Sequence, residues 1–217
     1  MKEFLLDVSV NMYEVIAAFA IALASYRFSL KDYITYTLIA AVLMAETSYI
    51  LRLVFHYDSI TPIFMLLWFF IFVWRVFRIH PFFALLMTVT GYLSYLLIQG
   101  AIVLLLQTYF TIEQLTTPLL HAKLVQFGSS SITIGVAYWL LRRRIGFSFV
   151  PDRIDEKIEL KGLNLWLLLV CIISCFFISG IAYIFINLNF LSMTLISAFI
   201  FSVVILLNIA YRKEMAS

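Results

Sequence analysis

The strongest constraint on this chain is a succession of apolar stretches about 20 residues long. At a rise of about 1.5 Å per helical residue, each can cross the roughly 30 Å hydrocarbon core of a bilayer. Seven are read, over residues 4–26, 33–55, 60–79, 82–106, 119–141, 163–186 and 190–211. Within hydrocarbon a backbone must satisfy its own N–H and C=O groups, and an α-helix does so within one segment. Pro81 divides the third run from the fourth, and Asn187-Leu188-Asn189 makes the turn before the last. Composition closes off the soluble alternative, because 64% of the residues are hydrophobic and 12% charged, against roughly 25% charged in an ordinary soluble domain. The expected fold is all-α: a polytopic membrane helix bundle forming one domain over residues 1–217, with seven transmembrane helices and six as the alternative.

Orientation follows from the basic residues. One side collects Arg27, Lys31, Arg75, Arg78, Arg142, Arg143, Arg144, Arg153, Lys157, Lys161, Arg212 and Lys213, and the other only Lys2, Arg52 and Lys123. Short cytoplasmic loops retain Lys and Arg, so twelve against three places the N-terminus outside and the C-terminus in the cytoplasm, in what reads as a bacterial plasma membrane. The third span is the weakest, interrupted by Arg75, yet removing it would put Arg75 and Arg78 on the wrong side. Tyr26, Tyr33, Tyr57, Tyr109, Trp139 and Tyr211 fall near the expected interfaces, where amphipathic rings prefer to sit. Residues 142–162 read as a solvated cytoplasmic loop between helices five and six, with alternating charges over 151–157 that would also suit a short interfacial helix. Its Arg142-Arg143-Arg144 run should lie against anionic headgroups, at about 1 kcal/mol of attraction per basic residue. On the outer side residues 107–118 form one sizeable loop. The first run contains Asp7, Asn11 and Glu14 and has no basic lead-in, so it is not read as a cleavable signal peptide.

Motifs for chemistry are scarce. The chain has no nucleotide-binding loop, no His-Glu-x-x-His, no Cys/His ligand cluster and no Gly-x-Ser-x-Gly. His56, His80 and His121 lie at separate helix ends on alternate sides of the expected topology and take structural roles. Cys171 and Cys175 share one face of an apolar run and behave as small hydrophobes. No enzyme activity, cofactor, metal site or nucleic-acid binding is expected.

Ionisable groups at membrane depth stand out instead, because each costs several kcal/mol unless it faces protein or water. Asp7, Asn11 and Glu14 fall at i, i+4 and i+7 and so form one stripe of the first helix. On the second helix Glu46 and Arg52 reach similar depths, so Asp7 is expected near Arg52, and Glu14 is expected to share an outward-facing cavity with Glu46. The fifth helix offers Gln126, Ser130 and Thr133, with Lys123 one turn above. Asp7, Asn11, Glu14, Glu46, Arg52, Gln126 and Ser130 are the candidate ligand-binding residues. The competing readings are interhelical hydrogen bonding, at about 0.6 kcal/mol per contact, and an ion or proton path. Ala18-x-x-x-Ala22 and Ala20-x-x-x-Ala24 allow close helix approach in the inner half.

The external N-terminus, short loops, Phe/Leu/Ile-rich bundle, basic penultimate loop and exit through Tyr211-Arg212-Lys213-Glu214 together resemble the membrane sensor half of peptide-sensing histidine kinases of Gram-positive quorum systems, the accessory-gene-regulator type. The resemblance is one of layout and covers the whole chain. It implies a bundle that detects an extracellular ligand such as a peptide and passes a change through the last helix. The sequence departs from the kinases after the last span, where neither a phosphoacceptor histidine nor ATP-binding glycines follow, so the expectation is a non-catalytic sensor module. The peptide-processing protease of such systems is set aside, since Met87 rather than Cys follows His80 on the next helix. A transport component, such as a substrate-binding subunit, and a structural or assembly protein stay open. Expected partners are membrane lipids, an extracellular peptide or small ligand, a membrane or cytoplasmic signalling protein, and a second copy of the chain.

Overall fold

The computed structural model describes residues 2–57, 60–110, 114, 119–150, 161–187 and 192–216, and among these there are seven α-helices and no strand. They are α1 (Lys2–Ser25), α2 (Ile34–Tyr49), α3 (Thr61–Ile71), α4 (Pro81–Leu106), α5 (Leu119–Arg143), α6 (Leu163–Asn187) and α7 (Ser192–Ala216). A 3₁₀ turn, Leu30–Tyr33, leads into α2, and both α2 and α3 run on into one wider π-helical turn, Ile50–Val54 and Phe72–Val76. Among the described residues, four segments are long and apolar enough to cross a membrane: Phe4–Ser25, Leu30–Val54, Pro81–Leu106 and Leu120–Arg143. Thr61–Val76 and Leu163–Phe176 are apolar but shorter. The expected interfacial segment at 151–157, most of the 107–118 loop and the Leu188-Asn189 part of the last turn lie outside the described residues.

The helix ends show why the chain breaks where it does. Pro81 occupies the first turn of α4, where its missing N–H is not needed, and His80 Nδ1 accepts the Phe82 N–H at 3.2 Å. At the other ends α1, α2, α3 and α5 stop at a residue with positive φ, namely Arg27, His56, Arg78 and Arg144. Each closes on a backbone bond: Phe28 N–H to Leu23 O and Ile145 N–H to Leu140 O, both 3.0 Å, with the bond one residue wider after the π turns, Tyr57 to Leu51 and Ile79 to Val73. Three of these residues are arginines, which also favour the negative pole of the helix dipole.

Packing centres on α1, which touches α2, α4 and α5, while α4 also meets α3, α6 and α7, and α6 pairs with α7. Surrounded on several sides, α1 buries every side chain from Ala17 to Ala24. Small residues permit that closeness: a Cβ added at Gly91 on α4 would lie 2.9 Å from Ala22 Cα. Below α1, the strand of chain after α5 tucks in. Phe147 N–H donates to Ser25 O at 2.8 Å, and Gly146, at φ +151°, has no room for a side chain against that carbonyl.

Candidate functional site

The polar stripe of α1 meets that of α5. Lys123 is buried, and its ammonium carries three donors. All three are used: the ion pair to Asp7 at 2.6 Å, the Asn11 side-chain oxygen at 3.0 Å and the Gln126 side-chain oxygen at 2.9 Å. Asn11 in turn donates to the second Asp7 oxygen at 2.9 Å. Gln126 donates its own N–H to Glu14, so one hydrogen-bonded chain runs Asp7, Asn11, Lys123, Gln126, Glu14. One turn deeper the fully buried Tyr95 of α4 lies within hydrogen-bonding reach of Glu14, and its hydroxyl sits 3.3 Å from that of Ser130. Tyr13 stacks on Phe127, with centroids 4.9 Å apart, alongside the network.

Beside this chain lies a cavity between α1, α2, α3 and α4, with about 50 Å³ open to the centres of water-sized molecules. Its upper wall is polar, made by Asn11, Glu14, Ser48, Arg52, Tyr92 and Tyr95, and its floor is apolar, made chiefly by Phe19, Met44, Met65 and Phe69. At about 10–15 Å³ per water centre the hollow holds roughly four waters. Arg52 comes from the π turn of α2, a helical irregularity often found at functional positions. Its guanidinium acts electrostatically on Glu14 and makes no hydrogen bond or ion pair among the described residues.

Asp7, Asn11, Glu14, Gln126 and Ser130 are thus brought together, with Arg52 across the cavity from the α5 stripe. Two expected pairings are not found. Lys123, not Arg52, takes Asp7, because the Asp7 face of α1 meets α5 while Arg52 lines the cavity. Glu46 is exposed and stands apart from the cavity. Helical geometry explains it: at about 100° per residue, Met44, Ser48 and Arg52 share one face and Glu46 lies roughly opposite. Glu46 therefore sits on an outward face among the exposed Val42, Leu43, Ile50 and Leu53. Sequence reasoning missed Lys123 as the hub, and Tyr92 and Tyr95 altogether, because aromatics in an apolar run read as core.

A second polar cluster joins α7 to the opposite end of the bundle. Glu214 accepts the N–H and hydroxyl of Ser148 and lies 3.9 Å from Arg27. Lys213 donates to Asn164 at 2.6 Å and lies 4.7–5.2 Å from the centroids of Phe82, Phe83 and Phe149. Burial alone would raise the Glu214 carboxyl, but the two bonds from Ser148 and the charge of Arg27 outweigh it and hold it below the usual glutamate range. Among the described residues no group of three His, Cys, Asp or Glu side chains is placed to hold a metal. The chain matches no protein-family model, and no curated protein or solved structure is similar to it at a significant level.

Proposed function

We propose that the chain is a seven-span, non-catalytic membrane receptor module, with its N-terminus outside, whose cavity beside Glu14 and Arg52 takes a ligand from the outer side. The supporting observation is the cavity itself. It combines an acid, a base that makes no hydrogen bond among the described residues, and an apolar floor, the mix of few polar groups and apolar walls that ligand sites use. Interhelical hydrogen bonding alone does not account for the hollow: the Asp7–Lys123 network makes its bonds without Arg52, whose charge acts on Glu14 from across the cavity. The basic residues at the ends of α1, α3 and α5, and near the end of α7, all fit one cytoplasmic side. Counting α3 as a span keeps that agreement even though it is short, since bilayers thin locally around short helices.

Signalling would pass through α7, pinned at its inner end to Ser148 and to the phenylalanines around Lys213. Glu46 supports a membrane partner as the recipient, because a carboxyl on a lipid-facing apolar surface is costly unless a neighbouring helix supplies a donor. The layout resemblance to peptide-sensing kinases agrees with this division of labour, although a hollow of this size admits a small head group rather than a folded peptide.

Sided labelling tests the reading against its rivals. In a background with Cys171 and Cys175 replaced by alanine, Ser48→Cys should react with a membrane-impermeant thiol reagent added outside and not with one added inside. Reaction from both sides would indicate a transport path. No reaction from either side would indicate a packing protein and overturn the receptor reading.

A further inference from the structure

The charge balance of the outer half narrows the ligand, on the premise that the cavity is the receptor site. Asp7 and Lys123 neutralise each other, and with Asn11 and Gln126 they leave the ammonium no free donor. Two charged groups of opposite sign then remain, Glu14 and Arg52, which act on each other electrostatically and both line the cavity. The Glu14 partners, Gln126 and Tyr95, are neutral donors. The guanidinium of Arg52 has its full fork of N–H groups open among the described residues, the geometry suited to a bidentate carboxylate. A lone anion entering here would stand beside the like charge of Glu14, and a lone cation beside the like charge of Arg52, since both line the cavity. A ligand carrying one charge of each sign leaves the site neutral.

We propose that the cavity binds a small zwitterion with a short apolar side chain, a free α-amino acid of about the size of alanine or valine. The ligand carboxylate meets Arg52 at the α2 side. The ammonium lies against Glu14, near the rings of Tyr92 and Tyr95, whose faces attract a cation. The side chain points to the floor made by Phe19, Met44, Met65 and Phe69. Room for roughly four water centres suits such a head group and the first carbons of its side chain. A peptide amino terminus supplies the ammonium but places an amide where Arg52 needs a carboxylate.

The test is calorimetric titration of the protein in lipid nanodiscs with L-valine, L-alanine, L-valinamide, N-acetyl-L-valine and isobutyrate. The amino acids should bind. Valinamide, N-acetylvaline and isobutyrate should each bind roughly tenfold or more weakly, equivalent to at least about 1.4 kcal/mol. Arg52→Gln and Glu14→Gln should each weaken valine by a similar factor, while Arg52→Lys, which keeps charge and fold but loses the fork, should fall between. Valinamide binding as well as valine would assign the site to amines or peptide termini, and equal binding of isobutyrate would assign it to simple anions; either overturns the zwitterion. Heat from none of the five compounds, with Ser48→Cys still labelled from outside, would overturn this inference and leave the receptor reading standing. Loss of that labelling would remove the reading itself.

Discussion

The two halves of α1 solve opposite problems. From Ala17 to Ala24 the helix is buried through smallness: alanines let α4 approach so closely that Gly91 is needed opposite Ala22. From Asp7 to Glu14 it is mostly half-buried and held by charge, and α5 answers with Lys123 and Gln126. The dry half gains its stability from dispersion between close backbones, where even one added methylene group is felt. The polar half depends on every donor having an acceptor, and it leaves a hollow beside it. A single helix thus carries both the rigid part of the bundle and the part able to accept something else.

Removing the hub of the polar half is expected to have the largest effect. Lys123→Met leaves Asp7 without its counter-charge and Asn11 and Gln126 without their shared donor, so it should cost about 3–5 kcal/mol, the usual penalty for breaking one side of a buried pair. The double variant Asp7→Asn/Lys123→Met should recover most of that loss. Thermal unfolding of the single and double variants in detergent measures this, and strictly additive losses would show that the two residues are not coupled.

In the dry half, Gly91→Ala is the matching perturbation. Its Cβ has nowhere to go against Ala22, so overpacking should cost about 1–3 kcal/mol. Combining it with Ala22→Gly should return part of the stability, read by the same unfolding midpoint. A neutral Gly91→Ala would mean that α1 and α4 stand further apart than described.

A smaller, pH-dependent effect belongs to the end of the bundle around Glu214. Glu214 is held below the usual glutamate range in the folded chain, so its bonds to Ser148 stabilise the fold at neutral pH. That contribution is lost only as pH falls through the usual range and then through the lowered folded-state value. The unfolding midpoint of the native chain should drop on acidification by more than that of Glu214→Gln, which lacks the ionisable group. Equal drops would detach α7 from this latch. The smallest effect on stability is expected at Glu46→Gln, since Glu46 touches neither half of the contrast. A loss of more than about 1 kcal/mol there would place it inside the bundle after all.

Much of this contrast was legible in residue spacing. The i, i+4, i+7 placement of Asp7, Asn11 and Glu14 identified an inward stripe, and the alanine repeats marked the close-packed half, because both depend only on helical periodicity. The choice of partner was not legible. Arg52 and Lys123 are expected at similar depths, and only the rotation of α1, which turns its Asp7 face to α5, gives Asp7 to Lys123. Glu46 lies on the second helix but faces away from the cavity, since position along a helix does not fix which way its side chain turns. Tyr95 gave no signal in an apolar run, although its hydroxyl lies beside Ser130.

The central claim is that water, and hence a ligand, reaches the polar half of α1 from outside and stops at the alanine half. Reaction rates of single cysteines along α1 with an impermeant thiol reagent test it most directly, with Cys171 and Cys175 removed. Val15→Cys, on the cavity wall, should react from the outside, and Ala20→Cys, among the buried alanines, should react from neither side. Equal reaction at both positions, or silence at Val15→Cys, would contradict the division of the helix into an open half and a dry one.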